Sequence, residues 1–250
     1  MLGGMRMTQR PTLVAVAHGS RDPRALPAVR ALVERVRGAR PGLEVRLGHV
    51  ELDEPLLDDT LAAVRGPVVL VPLLLGRGYH VKHDLPAALA AAPWVTGVVA
   101  APLGPHRLLA EALHDRLRAA GWSRAGQAVV MAAAGSRDPE SAADTARTAA
   151  LLAERLGVPV VPAYASAAAP SVPEAVAALA GRGVARDRIA VASYFTAPGR
   201  FATHTAAAAP WIAAAPLGAH PAMARLVLHR YDEATAALPR TGSRRFAHAG

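Results

Sequence analysis

The chain has 250 residues, a formal net charge of +9, and a composition that is 52% hydrophobic but only 4% aromatic, which is globular and long enough for two aliphatic cores of roughly 110–120 residues each. It has no cysteine, which excludes disulfides, thiolate catalysis and thiolate metal ligands and leaves ten histidines and the carboxylates as metal-binding side chains. No apolar run approaches the ~18 residues of a membrane span, residues 1–10 carry no hydrophobic leader, and no basic run is interleaved with aromatics, so neither membrane nor nucleic acid is an expected partner and the protein is expected to be cytoplasmic.

In the first half, apolar runs at 12–17, 44–50, 68–74 and 95–100 alternate with helical patterns at 24–37, 55–64, 81–91 and 106–119. The second half has runs at 128–133, 158–165, 189–195 and 212–214, each followed by a helix. Continuous Val/Leu/Ala runs separated by amphipathic segments predict strands buried on both faces of a parallel sheet, with crossover helices. Asp22-Pro23 and Asp138-Pro139 have the order of an N-cap followed by a first-turn proline. The expected architecture is two tandem flavodoxin-like three-layer α/β/α domains, residues 1–122 and 123–250, facing one another across a cleft. The tail from about residue 239 is expected to be mobile; it holds Arg240, Arg244 and Arg245, part of the excess charge.

The halves repeat one another. The segment Val16-Ala17-His18-Gly19-Ser20-Arg21-Asp22-Pro23 returns as Ala132-Ala133-Ala134-Gly135-Ser136-Arg137-Asp138-Pro139, and Glu51-Leu52-Asp53-Glu54-Pro55 as Ser166-Ala167-Ala168-Ala169-Pro170. Leu75-Gly76-Arg77-Gly78-Tyr79-His80-Val81-Lys82-His83 aligns with Thr196-Ala197-Pro198-Gly199-Arg200-Phe201-Ala202-Thr203-His204, and Ala101-Pro102-Leu103-Gly104-Pro105-His106 with Ala215-Pro216-Leu217-Gly218-Ala219-His220. A period this long fits duplication of a whole domain.

In a sheet whose second and third strands flank the first, positions 18, 51 and 80 end on neighbouring strands at the carboxyl edge, where such folds bind ligands. They carry His18, Glu51 and His80, a donor set able to hold a divalent cation with coordination sites left open. The second half carries Ala134, Ser166 and Phe201 instead, so a copy that keeps the scaffold has lost all three donors together. Folding therefore does not require them, and function is the reason they stand in the first copy. A slip of register would bring Asp53 or Glu54 to the acidic position. His83 is retained as His204, which leaves capping and metal ligation both open, whereas the shared His106 and His220 are expected to be structural. Gly76-Arg77-Gly78 lacks the third glycine of a dinucleotide fingerprint, and His18-Gly19-Ser20 is no nucleophile elbow, so a hydrolase is not expected.

At these residues the chain resembles the sirohydrochlorin chelatases of the CbiX/SirB type, class II enzymes that insert a divalent metal into a tetrapyrrole. The motifs are the strand ending in His18-Gly19-Ser20-Arg21, the run Pro72-Leu73-Leu74-Leu75 leading to Gly78-Tyr79-His80 and Asp84-Leu85-Pro86, and Ala101-Pro102-Leu103-Gly104. The resemblance covers roughly residues 11–236 and implies His18 and His80 as catalytic and metal-binding residues, with Glu51 at the acidic position of related cobaltochelatases. It implies sirohydrochlorin as substrate and Co²⁺ or Fe²⁺ as co-substrate, without a tightly bound cofactor, in the synthesis of cobalamin or sirohaem. An imidazole of ordinary pKa, about 6.5, can accept a proton leaving a pyrrole nitrogen and release a borderline metal. The eight carboxylates of sirohydrochlorin would meet Ser20, Arg21, Arg77, Lys82, His83 and Arg200 at the mouth, and Phe201 could form a wall against the macrocycle. A single chain holding both halves of the cleft is expected to act as a monomer, with a dimer not excluded. A non-catalytic tetrapyrrole or metal carrier is the competing reading.

Overall fold

A computed structural model describes residues 10–123 and 125–237; the tail expected to be mobile from about residue 239 lies outside them. The first half comprises β1 (Thr12–Ala17), α1 (Ala25–Ala39), β2 (Val45–His49), α2 (Leu57–Ala63), β3 (Gly66–Pro72), a π-helical turn (His80–Asp84) running into α3 (Leu85–Ala90), β4 (Val95–Val99) and α4 (Arg107–Ala119). The second comprises β5 (Ala128–Ala133), α5 (Pro139–Leu156), β6 (Val160–Tyr164), α6 (Val172–Gly181), β7 (Ile189–Ser193), α7 (Arg200–Ala207) and α8 (Pro221–Ala237). Both sheets are parallel, in the orders β2-β1-β3-β4 and β6-β5-β7, with the first strand of each half between its second and third. This is the doubly wound arrangement expected from the alternating pattern.

Three local departures from the pattern have clear causes. The run at 212–214 forms only a bridge, with Ala213 beside Val191; Pro210 and Pro216 bracket it, and prolines cannot donate to a ladder. The helix expected from residue 81 opens at His80 as a π turn closed by Leu85 N–H donating to His80 O. Pro86 has no N–H for the Lys82 carbonyl four residues back, so the ladder widens just before it. In the first half Asp22-Pro23 sits in a turn ahead of α1, whereas Asp138 caps α5 by accepting from Glu140 N–H at 2.9 Å with Pro139 in the first turn.

The strands are buried on both faces. On β1, Leu13, Ala15 and Ala17 join the central core, and Val14 and Val16 join an outer one with Leu57, Leu61 and Leu85. On β5 the central face is Val129, Met131 and Ala133, and the outer face is Ala128, Val130 and Ala132. The central core runs through both halves, because their last helices cross over. Helix α4 lies against α5 and β7 of the second half, and α8 lies against α1 and β3 of the first. Arg116 donates to Leu217 O at 2.7 Å, and Arg230 to Pro102 O at 2.8 Å and Leu103 O at 3.2 Å, so each exchanged helix is also bonded to the opposite half's backbone. At the cleft floor Tyr194 Oη donates to Leu75 O at 3.0 Å and Thr196 Oγ1 to Leu73 O at 2.9 Å. Burial pushes the Tyr194 phenol up, so it stays a neutral donor.

His106 and His220 have the structural role expected of them. His106 Nδ1 accepts from Leu108 N–H at 3.1 Å at the start of α4, and His220 Nδ1 from Ala222 N–H at 3.1 Å at the start of α8. Burial holds both imidazoles below their ordinary pKa. Arg230 and His229 push His106 the same way against Glu233, while Asp115 and Glu111 oppose the shift at His220 and Arg116 reinforces it. A cap that accepts through Nδ1 is lost on protonation. A depressed imidazole leaves the unfolded chain binding more protons, so this stability is fully present above about pH 6.5 and declines as pH falls toward the folded pKa. Thermal unfolding from pH 7.5 to 5 should show the midpoint falling, and falling less in a His106→Asn/His220→Asn protein, whose caps do not titrate. Equal slopes would mean that these caps do not govern the response.

Candidate active site

The carboxyl ends of β1, β2 and β3 face those of β5 and β7 across a cavity of about 820 Å³. One wall carries His18, Glu51 and His80; the other is mainly Ala133, Ala134, Phe195, Ala197, Pro198 and Phe201. The polarity difference seen between the two copies in the sequence thus becomes a difference between two walls.

His18 and Glu51 meet because two strand ends cross closely. Glu51 N–H donates to His18 O at 3.0 Å, and Gly19, at φ +101°, passes so near that a Cβ there would stand 1.7 Å from Glu51 O. The second half repeats the device with Ser166 N–H to Ala134 O at 3.0 Å and Gly135 at φ +89°, 1.8 Å from Ser166 O. Leu52 and Ala167, next along the two loops, both have positive φ, at 69° and 58°. His49, at the end of β2 and 1% exposed, donates from Nδ1 to Pro55 O at 3.1 Å and ties down the loop that carries Glu51.

The rings of His18 and His80 lie 4.6 Å apart, edge to face at 86°. His18 Nδ1 is 3.6 Å from Glu51 Oε1, too long for a hydrogen bond. Two donors at that separation can share one cation with bonds of ~2.1 Å and an angle of roughly 118°. Both side chains are substantially exposed to the cavity. Among the described residues no group of three or more His, Asp or Glu side chains is already gathered to hold a metal ion; on this wall His18 stands beside both Glu51 and the His80 ring. Of the other acids, Asp53 accepts from Ser20 N–H at 2.9 Å and Glu54 from Leu56 N–H at 3.3 Å, so Glu51 is the carboxylate beside His18.

The expected substrate-contacting residues divide into two groups. Ser20, Arg21, Arg200 and Phe201 line the cavity. Arg200 stands over the Phe201 ring at 5.3 Å, and Ser20 Oγ faces Gly199 across the cleft. Arg77, Lys82 and His83 do not line it. Arg77 pairs with Asp144 at 2.7 Å and Glu140 at 2.8 Å, and Lys82 with Asp138 and Glu140 at 2.5 Å each. Asp144 is 1% exposed, so Arg77 serves a carboxylate that has no water of its own. Hydrogen bonding to Asp144 raises the Arg77 pKa and hydrogen bonding to Asp138 raises that of Lys82, while Lys82 holds the Asp138 carboxyl below the usual range. These cations clamp the first half to the start of α5, a use of Arg77 and Lys82 that differs from the expected one. His83 packs its ring against the exposed Tyr79 at 4.6 Å. The acids at 138, 140 and 144 fall at helical spacing, but only docking of the halves shows which cations they meet. Asp84 accepts from His80 Nδ1 at 2.6 Å, a contact that its place in the Asp84-Leu85-Pro86 motif does not by itself reveal; its position four residues after His80 is the available signal.

Comparison with known proteins gives one consistent family. The family model described as CbiX matches residues 12–120 and again 128–234. The sirohydrochlorin ferrochelatase of Bacillus subtilis (strain 168) is 28% identical over 177 residues, covering 66% of this chain and 67% of that protein. The sirohydrochlorin cobaltochelatase of Methanosarcina acetivorans is 26% identical over 129 residues, 46% of this chain and 99% of that protein. Among solved structures, SirB from Bacillus subtilis with Fe³⁺ superimposes with a TM-score of 0.75 at 24% identity, covering 91% of this chain and 96% of that one. A CbiX structure, from denitrifying bacteria, gives a TM-score of 0.68 at 22% identity over 91% and 100%. These likenesses carry the fold. Among the described residues no helix is long and apolar enough to cross a membrane.

Proposed function

Because the chain belongs to the CbiX family, we propose that it is a sirohydrochlorin chelatase, inserting Fe²⁺ or Co²⁺ into sirohydrochlorin for the synthesis of sirohaem or cobalamin. The reaction breaks two pyrrole N–H bonds, forms four metal–nitrogen bonds and releases two protons. The observation that carries the reading is the placement of His18 beside both Glu51 and His80 on one wall, facing a mainly apolar wall across a cavity of about 820 Å³.

His18, His80 and Glu51 hold the incoming metal as substrate, and one of the imidazoles accepts a departing proton. Donors that are not gathered into a closed cage suit this work, since such a cage would retain the metal against transfer. The macrocycle lies against Phe201 and its neighbours, with Arg200 held over the Phe201 ring. Arg21 and Arg200 pair with peripheral carboxylates, and the Ser20 hydroxyl faces the same space. Arg77 and Lys82 act from behind, keeping the walls at their separation through Asp138, Glu140 and Asp144. Both walls come from one chain, so the monomer is the active unit.

The test is an absorbance time course of sirohydrochlorin with Co²⁺ and, anaerobically, with Fe²⁺, in the presence and absence of the protein. Acceleration over the spontaneous rate is expected, and the faster metal identifies the cation the site favours. Tight tetrapyrrole binding without acceleration would make the protein a carrier.

A further inference from the structure

The two imidazoles of the metal-facing wall are held differently. His18 Nδ1 looks toward Glu51 across 3.6 Å, outside hydrogen-bond range. His80 Nδ1 lies 2.6 Å from Asp84 Oδ2, well within hydrogen-bond range of the carboxylate. Asp84 is the last residue of the π turn that His80 opens, so the pair is set by one local element and does not depend on the docking of the halves. Both side chains are about one-third exposed, and the His80 ring also meets His18 edge to face.

An ionised carboxylate only accepts hydrogen bonds, so Asp84 requires a proton on His80 Nδ1. In the neutral ring the lone pair is then on Nε2, across the imidazole from Asp84. The geometry points to Asp84 as a positioning residue that fixes His80 in the Nδ1–H tautomer and offers Nε2 as the metal donor. His80 is then the fixed member of the donor set, and His18 and Glu51 close on the cation from the adjacent strand ends. The carboxylate also makes the imidazole a stronger donor, as carboxylate partners of metal-bound histidines do. This inference rests on the reading of His18, His80 and Glu51 as metal ligands. It excludes the plainer role of a surface pair four residues apart on a helix, which would add only a few tenths of a kcal/mol to stability and leave metal binding untouched.

The test is titration of the apo protein with Co²⁺, followed by its visible d–d absorption, for wild type, Asp84→Ala, Asp84→Asn, His80→Ala and the His80→Ala/Asp84→Ala double variant, with KM for the metal and for sirohydrochlorin measured in parallel. Asp84→Ala should weaken Co²⁺ binding about 10- to 100-fold and change the band shape, with KM for the tetrapyrrole unchanged. Asp84→Asn, whose amide oxygen still accepts from Nδ1–H, should recover most of that loss. In the His80→Ala background the Asp84 substitution should have no further effect. Wild-type Co²⁺ affinity and spectrum in Asp84→Ala, or an Asn variant no better than Ala at equal thermal stability, would overturn the assignment. Absence of Co²⁺ binding in the wild type would instead remove the metal-ligand reading beneath it.

Discussion

Replacing His18 with alanine or His80 with phenylalanine is expected to reduce tetrapyrrole metallation at least ~100-fold while leaving thermal stability nearly unchanged. The substitutions are those the second half already carries: Ala134 and Phe201 occupy the positions of His18 and His80 on the same strand-end scaffold. The protein thus contains its own evidence that this backbone folds without the imidazoles. His18 and His80 line the cavity, and neither side chain supports the central core, so the loss should appear in rate and metal affinity. Rates from the sirohydrochlorin time course, read beside thermal unfolding of the same preparations, separate the two effects. A large fall in stability would mean that the second half solves a packing problem the first half solves with histidine. Near-normal rates in both variants would move the chemistry away from this wall.

Gly19→Ala should be the most damaging single-methyl change to the site. A Cβ at Gly19 would lie 1.7 Å from the Glu51 carbonyl oxygen, a backbone atom that cannot swing aside, and the residue would also have to hold φ at +101°. Relief requires the ends of β1 and β2 to separate, which pulls His18 from Glu51 and loosens the Glu51 N–H to His18 O bond. The expected cost is about 2–4 kcal/mol, or a midpoint lower by roughly 5–15 °C, together with loss of metal binding. Gly135→Ala makes the same clash against Ser166 O in the second half and should cost similar stability. The donor cluster is on the other wall, so the folded fraction of Gly135→Ala should still bind Co²⁺. Thermal unfolding and Co²⁺ titration of the pair provide the comparison; equal loss of metal affinity in both would show that the two strand crossings are mechanically coupled through the cleft floor.

Much of this site is legible in the sequence because the chain is its own comparison. Gly19 and Gly135 appear in both copies because both strand crossings need a residue without Cβ, whereas His18, Glu51 and His80 appear in one because only one wall carries the donors. Position along a strand was equally readable: burial on both faces of β1 and β5 forces continuous apolar runs, and the residue just past each run must emerge at the carboxyl edge. Where the pattern misled, the causes were local. A proline at 86 widened a helix start into a π turn, and prolines at 210 and 216 reduced a strand to a bridge.

The sequence by itself determined the doubled α/β architecture, the strand ends at which chemistry could gather, and the half that holds the donors, because these depend on periodicity and on the comparison of aligned positions. Tertiary structure alone decided how the charges are used and how the halves are joined. Arg77 and Lys82 read as free cations at a cleft mouth, yet they meet Asp138, Glu140 and Asp144 from beyond the domain boundary. Helices α4 and α8 read as the last element of their own halves, yet each packs on the other. A periodic pattern tells a residue which face it occupies, but not what will lie opposite. Ion pairing and helix docking depend on that second fact, which exists only once the two halves have closed on one another.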